Sequence, residues 1–509
     1  MSQIVQAGAI NTTALVVPDL YVQIIPPAVS QLNGVPSNVL GVVGTAPWGP
    51  VNAPTVLGSM ADYSRLFGAI QPRKYDLGTA IAAAVLQGAQ NFRAVRVTDG
   101  TDTAATIIVQ STCITFTSIY TGSLGNTQTV QIANGSAAGT FKVIVGMPGQ
   151  ASEVFDNIAG SANALWVNMA AAINNGNSPL RGPSKLIVAT AGAGVTAPTV
   201  ASYTLASGTD GTATITSAVL IGVDTTTRKG MYALRGTGAS VAMLADVDDS
   251  TTWTTQVAYG LSEGTYMIAT GPAGDTIANA VTAKSTAGID SYALKLLFGD
   301  WVYFNDTVNG SVRLISPQGF VAGLLSNLAP QNSTLNKQLY GVVGTQRSNA
   351  NLVYSTAELQ LLGQAGIDVI ANPSPGGSYF GARFGHNSSS NNVANGDNYT
   401  RMTNYLAATF GAGMGKFVGK LQGTSATDPT RRQVAGTLGS FLQGMADQGQ
   451  IDSFSVQCDL NNNSPARIAT GYLQADVNVK YLAVVEKFLL NLQGGQSVTV
   501  NKVSSTGVG

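Results

Sequence analysis

The chain has 509 residues, with 26 Lys and Arg residues against 26 Asp and Glu residues, and this length predicts about three domains. The balanced charge gives no sign of a nucleic-acid-binding surface. Two cysteines, Cys113 and Cys458, are too few for a disulfide framework or a four-cysteine zinc site. We expect neither a signal peptide nor membrane insertion, because the start lacks a basic region followed by an apolar one and no apolar run reaches about 18 residues.

Charged residues are scarce. They make up 10% of the chain, against roughly 25% in a typical soluble domain. A monomer that must remain soluble usually carries more charge, so this surface suits a subunit packed against copies of itself. A Gly-, Thr- and Asn-rich secreted or β-rich protein would have the same composition, and both interpretations stay open.

Residues 1–20 have too little pattern to form a core and are predicted to be an extended arm. Residues 21–25 then predict a strand, which a pair of prolines ends. Up to about residue 100, strand and helix patterns alternate. Ser59 and Asp76 are placed to cap two helices, and 92–97 predicts a strand.

Residues 101–211 have a different character. Helical periodicity fades, Thr, Ser, Ala and Gly become frequent, and short β-like runs follow one another. This composition predicts an inserted β-rich domain with one helix around Ala164–Ile173.

The strand–helix alternation returns at 212–383, where the pattern predicts a mainly parallel, helix-covered sheet. One helix begins with a capping box at Ser355 and Glu358. The candidate buried strands are Val241–Leu244, Tyr266–Ala269, Trp301–Phe304 and Ile367–Ile370.

Residues 384–495 predict a last α+β unit. Asp428 caps a helix that has Pro429 at its first position and ends near Gly449. Alternating strands follow it, and 496–509 contains one more short strand with no hairpin partner nearby. Orphan strands at the two ends of the chain either fold back on their own subunit or add to the sheet of a neighbour, and the sequence leaves both open.

The sequence offers little catalytic chemistry. The only histidine, His386, lies in a Gly-, Asn- and Ser-rich stretch, and any Ser-His-Asp triad would have to use it. The G-x-S-x-G string at 260–264 precedes its clearest strand instead of following one, which favours a chance match. The string at 410–417 lacks the first Gly and the final Ser or Thr of a phosphate loop. We therefore expect no catalytic residue, no metal site and no cofactor.

Several segments together resemble the tail sheath family of myovirus-type phages and related contractile injection machines. No segment is specific alone, but their order across almost the whole chain is. They include Tyr21–Pro27, Gly41–Pro54, Tyr120–Asn126, Lys229–Leu234, Gly366–Ile370 and Gly471–Val477.

The resemblance implies a fold of several parts. A subtilisin-like α/β core without proteolytic residues would comprise 21–100 and 212–383. The β-rich insertion 101–211 would lie on the outer face, and 384–495 would face an inner tube. The ends, 1–20 and 496–509, would be extended arms.

The resemblance also implies strand exchange between subunits. The donor strands would contain Thr13, Ala14, Leu15, Val16 and Val17, and Ser497, Val498, Thr499 and Val500. The acceptor strands would contain Tyr472, Leu473, Ala475 and Val477, and Phe488, Leu490 and Leu492. Basic residues that either form a solvated face or contact the tube are Lys416, Lys420, Arg431 and Arg432.

The function implied is structural: a subunit that forms hexameric rings and a helical tube around a tail tube and contracts to drive that tube through the host envelope. Baseplate and tail terminator proteins would be further partners, and the virion tail would be the location, after assembly in the bacterial cytoplasm. The sheath of an injection particle, another self-assembling virion or surface-layer protein, and a degenerate subtilisin-like hydrolase are the alternatives.

Overall fold

The computed structural model describes residues 32–492 in full and residues 3–5 and 21–23 by their backbone. The α-helices of the described residues are α1 (Met60–Phe67), α2 (Leu77–Val85), α3 (Ala162–Asn175), α4 (Ser217–Ile221), α5 (Trp253–Glu263), α6 (Ile277–Thr286), α7 (Gln318–Asn327), α8 (Gln346–Asn349), α9 (Thr356–Gln364), α10 (Asp397–Met414), α11 (Pro429–Asp447) and α12 (Pro465–Ala469).

The strands divide among several sheets. They are β1 (Gln3–Val5), β2 (Tyr21–Gln23), β3 (Leu40–Gly44), β4 (Thr55–Leu57), β5 (Phe92–Arg96), β6 (Ala104–Val109), β7 (Ile114–Thr121), β8 (Thr129–Asn134), β9 (Phe141–Gly146), β10 (Glu153–Ile158), β11 (Ile187–Ala191), β12 (Ala201–Thr204), β13 (Val241–Leu244), β14 (Tyr266–Thr270), β15 (Leu294–Leu297), β16 (Val302–Asp306), β17 (Ser311–Ile315), β18 (Val342–Thr345), β19 (Ile370–Ala371), β20 (Gly381–Ala382), β21 (Ile451–Gln457) and β22 (Asp476–Tyr481).

A six-stranded sheet in the order β15-β14-β13-β3-β5-β4 forms the centre of the molecule. Its strands are parallel except for β4, which runs antiparallel to β5. Alternate residues of β13 enter different cores: Val241 and Met243 pack on one face of the sheet, and Ala242 and Leu244 on the other. Both faces are therefore dry, which explains the continuous apolar runs in these strands.

Helices cover both faces of this sheet. The helices α1, α2 and α7 contribute to one core, and α5, α6 and α9 contribute to the other. Two glycines of α7 allow it to approach α2 closely. A Cβ at Gly323 would lie 2.5 Å from the Cα of Ala84, and one at Gly319 would lie 2.9 Å from the Cβ of Ala83.

The β-rich stretch between β5 and β13 has a core of its own. A four-stranded sheet, β10-β9-β8-β12, and a three-stranded sheet, β11-β7-β6, share one buried cluster with α3. The chain enters and leaves this stretch side by side, because Thr103 forms a bridge with Thr209 and the amide of Asp99 donates to the carbonyl of Gly211.

A buried arginine ties this junction to the central sheet. The Arg96 guanidinium donates to the carbonyls of Gly49 (2.7 Å), Thr121 (2.8 Å) and Asp210 (3.2 Å). Arg73 pairs with the Asp210 carboxylate at 2.6 Å. Burial lowers the pKa of Arg96 to about 10, although the nearby carboxylates oppose that shift.

The local helix signals are confirmed. Ser59, Asp76 and Ser355 each accept a backbone N–H at the start of α1, α2 and α9, and the Ser355–Glu358 capping box is present. The helix predicted around Ala164–Ile173 is α3.

Some strand predictions need correction. Trp301–Phe304 overlaps β16, which belongs to a separate antiparallel sheet, β17-β16-β18, and not to the parallel one. In Ile367–Ile370 the last residue belongs to the two-residue strand β19, and Asp368 forms a parallel bridge with Leu297 of β15, so this segment does extend the parallel pairing. The two end strands of the central sheet are β15 and β4, and no sequence pattern predicted β15. At the start of the chain, β1 pairs in parallel with β2, so a strand lies within the stretch predicted to be an arm.

Candidate functional site

The carboxyl-terminal part of the described chain contains α10, α11, the short helix α12 and the sheet β21–β22. Asp428 accepts the amide of Arg431 at 3.0 Å, Pro429 opens α11, and Gly449 follows it with a φ of 64°. The helix therefore begins and ends where the capping pattern predicted. Apolar side chains from α10, α11 and both strands fill two small clusters.

Strands β21 and β22 are antiparallel, with Phe454 opposite Val479 and Val456 opposite Val477. These side chains are half-buried against the helices, and Tyr481 lies in the same cluster. Asn478 and Lys480 are exposed. The alternation predicted for 477–481 is therefore present, with one apolar face and one polar face.

The edges of this sheet are open. Within residues 32–492, neither β21 nor β22 pairs with a third strand. Unpaired strand edges present free N–H and C=O groups that can accept an added strand. Packing on α10 and α11 supports this two-stranded sheet, so its backbone edges can stay open in the single chain.

An apolar segment follows this sheet. Residues 482–492 have no regular secondary structure. Phe488 is 85% exposed, Leu490 73% and Leu492 89%. Their neighbours Val485 and Leu489 are exposed as well. Soluble monomers rarely expose contiguous apolar patches of this kind, and such patches mark sites where proteins associate.

Most of the predicted acceptor residues lie outside the strands of the structure. Tyr472, Leu473 and Ala475 precede β22, and Phe488–Leu492 forms no strand in the single chain. The partner of β22 is instead β21, which the sequence analysis did not identify. The predicted donor residues, Thr13–Val17 and Ser497–Val500, lie outside the described residues.

Of the four basic residues that were candidates for contact with a tube, Arg431 is unsuitable because its side chain is buried. Its guanidinium is buried and donates to the carbonyl of Gly423 at 2.7 Å and to that of Ser425. It therefore stabilises the loop before α11. Lys416 and Lys420 lie over the ring of Phe417, at 5.4 Å and 4.9 Å from its centroid, and Arg432 is exposed.

A buried ion cluster joins α10 to the central sheet. The Lys295 ammonium of β15 lies 2.6 Å from Asp368 Oδ2 and 3.0 Å from Asp397 Oδ1, and none of the three side chains is exposed. The Tyr266 hydroxyl donates to Asp397 at 2.7 Å. Burial opposes charge on Lys295, but the two carboxylates outweigh it and raise the pKa of this lysine. Burial likewise opposes charge on Asp397, but the charge of Lys295 and the hydrogen bonds from Thr334, Tyr266 and Lys295 together outweigh it and lower the pKa of this carboxyl.

The positions with superficial catalytic patterns serve local structure. Ser262 lies inside α5, where its hydroxyl donates to the carbonyl of Tyr259 at 3.0 Å, so no nucleophile elbow exists there. His386 Nε2 lies 2.7 Å from Glu486 Oε1. In the described part of the chain, no group of three or more His, Cys, Asp or Glu residues is arranged to hold a metal ion. No helix in that part is long and apolar enough to cross a membrane.

Comparison with known proteins gives matches to solved structures. A sheath tail protein from Desulfitobacterium hafniense is 16% identical with a TM-score of 0.57, over 86% of this chain and 93% of that one. One from Listeria innocua is 13% identical with a TM-score of 0.59, over 89% and 96%. The sheath of an extracellular contractile injection system, PVC, in its contracted state is 12% identical with a TM-score of 0.54, over 95% and 99%. No family model and no curated protein matches the chain.

The chain therefore has the mixed α/β, multi-sheet fold of contractile sheath proteins. Its likeness extends over nearly the full length of these proteins. The sequence resemblance to tail sheaths and the shared fold agree.

Proposed function

We propose that this protein is the structural subunit of a contractile sheath. It polymerises as stacked hexameric rings into a helical tube around an inner tail tube, and the tube contracts to drive that inner tube through a host envelope. The observation that carries this proposal is the fold, which is shared with sheath proteins over 86–95% of the chain. The core is a subtilisin-like α/β domain that has lost proteolytic residues, and the protein is not an enzyme.

The surface supports assembly. Charge is scarce and balanced, and the exposed apolar segment 482–492 follows a sheet with open edges. Both features suit a subunit that is completed by neighbours. In our proposal β21 and β22 accept the strands donated by 13–17 of one neighbour and 497–500 of another, which gives a four-stranded sheet.

Strand exchange also explains how contraction could keep the sheath intact. Backbone ladders hold the exchanged strands while the globular bodies rotate between two discrete packings. The extended packing would be metastable, and the contracted one would have the lower free energy. The insertion 101–211 would lie on the outer surface, and 384–495 would face the tube, with Lys416, Lys420 and Arg432 as candidate contacts.

The partners are a tail tube protein, a baseplate and a tail terminator, and the location is the tail of a virion assembled in the bacterial cytoplasm. The second candidate is the sheath of an injection particle. It is favoured by the likeness to the PVC sheath and to the helical sheath of the anti-feeding prophage, which is 12% identical with a TM-score of 0.52.

Electron microscopy of the purified protein at high concentration tests the proposal. We expect hollow tubes or stacked six-fold rings, formed by the protein alone or together with a tail tube protein. Particles that remain monomeric in both preparations would contradict a sheath function.

Deleting residues 496–509 tests the strand exchange separately. We expect the loss of ordered tubes and an unchanged urea midpoint, because the buried clusters of the protein are built from residues within 32–492. Replacing Phe488 and Leu490 by Ser should have the same effect. Leu180→Ser is the matched control, since Leu180 is fully exposed but lies in the insertion 101–211, away from the segment in sequence. Normal tubes from the truncated protein would rule out the exchange.

A further inference from the structure

A cleft rich in cations lies beside the apolar segment. Its walls include Lys337, Arg383, Phe384 and His386 on the globular body, and Val484 and Glu486 on the segment. We call it the cationic cleft. It lies between the apolar segment that follows β22 and the body of the same subunit, so whatever fills it controls where the segment lies.

Few polar contacts hold the segment to the body. The Asn398 side-chain amide donates to the carbonyl of Leu482 at 3.0 Å, directly after β22. The carboxylate of Glu486 then lies 2.7 Å from His386 Nε2, whose ring stacks on Phe384 at a centroid distance of 6.2 Å. Beyond Glu486 the side chains of 487–492 are exposed. Glu486 is therefore the last anchoring point of the described chain.

The charge of the cleft favours this carboxylate. Lys337 and Arg383 line the cleft from the globular body, and neither forms an ion pair with another residue of the described part. Glu486 is the only carboxylate in the lining. An excess of cations around one carboxylate attracts that group more strongly than the single contact with His386 would. The apolar stem of the segment, through Val484, adds contact with the wall.

We propose that the cationic cleft is a docking site for the Glu486 carboxylate and that it clamps the chain between β22 and the carboxyl-terminal strand. The consequence for assembly rests on the proposed strand exchange. With the clamp open, residues 482–492 can extend and span about 36 Å, at roughly 3.3–3.6 Å per residue. With it closed, only 487–492 can extend, which spans about 20 Å. The donated strand can therefore lie at two different distances from its own subunit, which suits a sheath with two packings of its subunits.

Limited trypsin digestion after Lys487 measures docking in the unassembled protein. His386→Asn and Arg383→Gln leave the cleavage sequence unchanged and should each raise the cleavage rate about two- to fivefold, the change expected for a partly exposed ion pair. Arg228→Gln, which removes a remote exposed pair with Asp224, is the control and should leave the rate unchanged. An unchanged rate in both cleft variants would overturn the proposal.

A spectroscopic measurement gives an independent readout. His386 is the only histidine of the chain, so its imidazole resonance is unambiguous in protein labelled at histidine. Glu486→Gln should move this resonance, while Glu263→Gln should not. Docking that is confirmed in a protein that never forms tubes would leave the clamp standing and remove the sheath function. If the protein forms tubes and neither experiment detects docking, the sheath function stands and the clamp is ruled out.

Discussion

The central sheet and the carboxyl-terminal sheet differ in how many of their strand edges are paired within the chain. In the central sheet, β13 has a strand on each side and its four residues are fully buried. In the carboxyl-terminal sheet, β22 has one partner and alternates between half-buried and exposed residues, and an exposed apolar segment follows it. The central sheet surrounds its middle strands with neighbours from the same chain, whereas each strand of the carboxyl-terminal sheet keeps an open edge within the described residues, to which a further strand can add.

The buried ion cluster connects these two regions, and breaking it should have the largest effect. Lys295→Met leaves the carboxylates of Asp368 and Asp397 buried without their cation. We expect a loss of about 3–5 kcal/mol in the free energy of unfolding. A urea titration of the unassembled protein, followed by circular dichroism, measures it.

Lys74→Met is the matched control. Lys74 pairs with Asp248 at 2.9 Å, but its side chain is 45% exposed. Exposed pairs contribute at most about 1 kcal/mol, so the control should be nearly neutral. Equal effects of the two substitutions would mean that the ion cluster does not hold the regions together.

The pH dependence of stability tests whether water is excluded from the buried carboxylate of Asp76, beside the central sheet. One oxygen of this carboxylate accepts the amide and hydroxyl of Thr79 at 2.7 and 2.8 Å, whereas the other is buried without a hydrogen bond. Burial raises the pKa of Asp76 to about 6, and the bonds from Thr79 only partly oppose the shift. The unfolded chain therefore loses this proton first as the pH rises, and the folded state loses stability between about pH 4 and pH 6.

We expect the free energy of unfolding of Asp76→Asn to rise above that of the parent protein as the pH increases from 4 to 7. The difference should reach about 3 kcal/mol, because the pKa of Asp76 is raised from 3.8 to about 6 in the folded state. Urea midpoints at a series of pH values measure the difference. Asp62→Asn is the control of opposite sign, because backbone and Ser59 hydrogen bonds lower the pKa of that exposed carboxyl. Parallel pH profiles for the parent and Asp76→Asn would show that the site is wetter than the structure indicates.

Much of the central fold could be predicted because local signals and burial agree there. Ser59, Asp76 and Ser355 cap helices in both sequence and structure. The edge strand β15 was missed because Lys295 interrupts its apolar run, and only the tertiary structure supplies the two carboxylates that allow a lysine to be buried.

The candidate site was predictable only in part. The alternation of 477–481 identifies β22, but the pairing with β21 joins residues about 25 positions apart and follows from no local pattern. The alternating residues 488–492 show the limit of such patterns, because alternation records which side chains can share a face and not whether a partner strand is present. Similarly, a basic residue such as Arg431 is indistinguishable in sequence from a surface cation, although the fold buries it.

Gly→Ala substitutions in α7 and α11 compare the two regions directly, and their expected effects on stability are the smallest. A Cβ at Gly323 of α7 would lie 2.5 Å from the Cα of Ala84. Gly323→Ala must therefore separate α7 from α2, and the overpacking should exceed the gain in helix propensity and cost about 1–2 kcal/mol net. A Cβ at Gly436 of α11 meets no atom within 4 Å. Gly436→Ala should stabilise the unassembled protein by about 0.5–1 kcal/mol. Urea midpoints of the two variants measure both effects.

The opposite signs are the essential part of this prediction, because the same methyl group probes a completed interface in one helix and an open surface in the other. Tube formation then extends the test to the assembled state. If the exposed face of α11 packs against a neighbour, Gly436→Ala should raise the urea midpoint of the monomer and yet impair the tubes, whereas Gly323→Ala should lower the midpoint without a specific effect on assembly. If Gly436→Ala raises the midpoint and leaves the tubes normal, that face of α11 is not a subunit contact in the proposed sheath, which leaves β21, β22 and the segment that follows them as the candidate contacts.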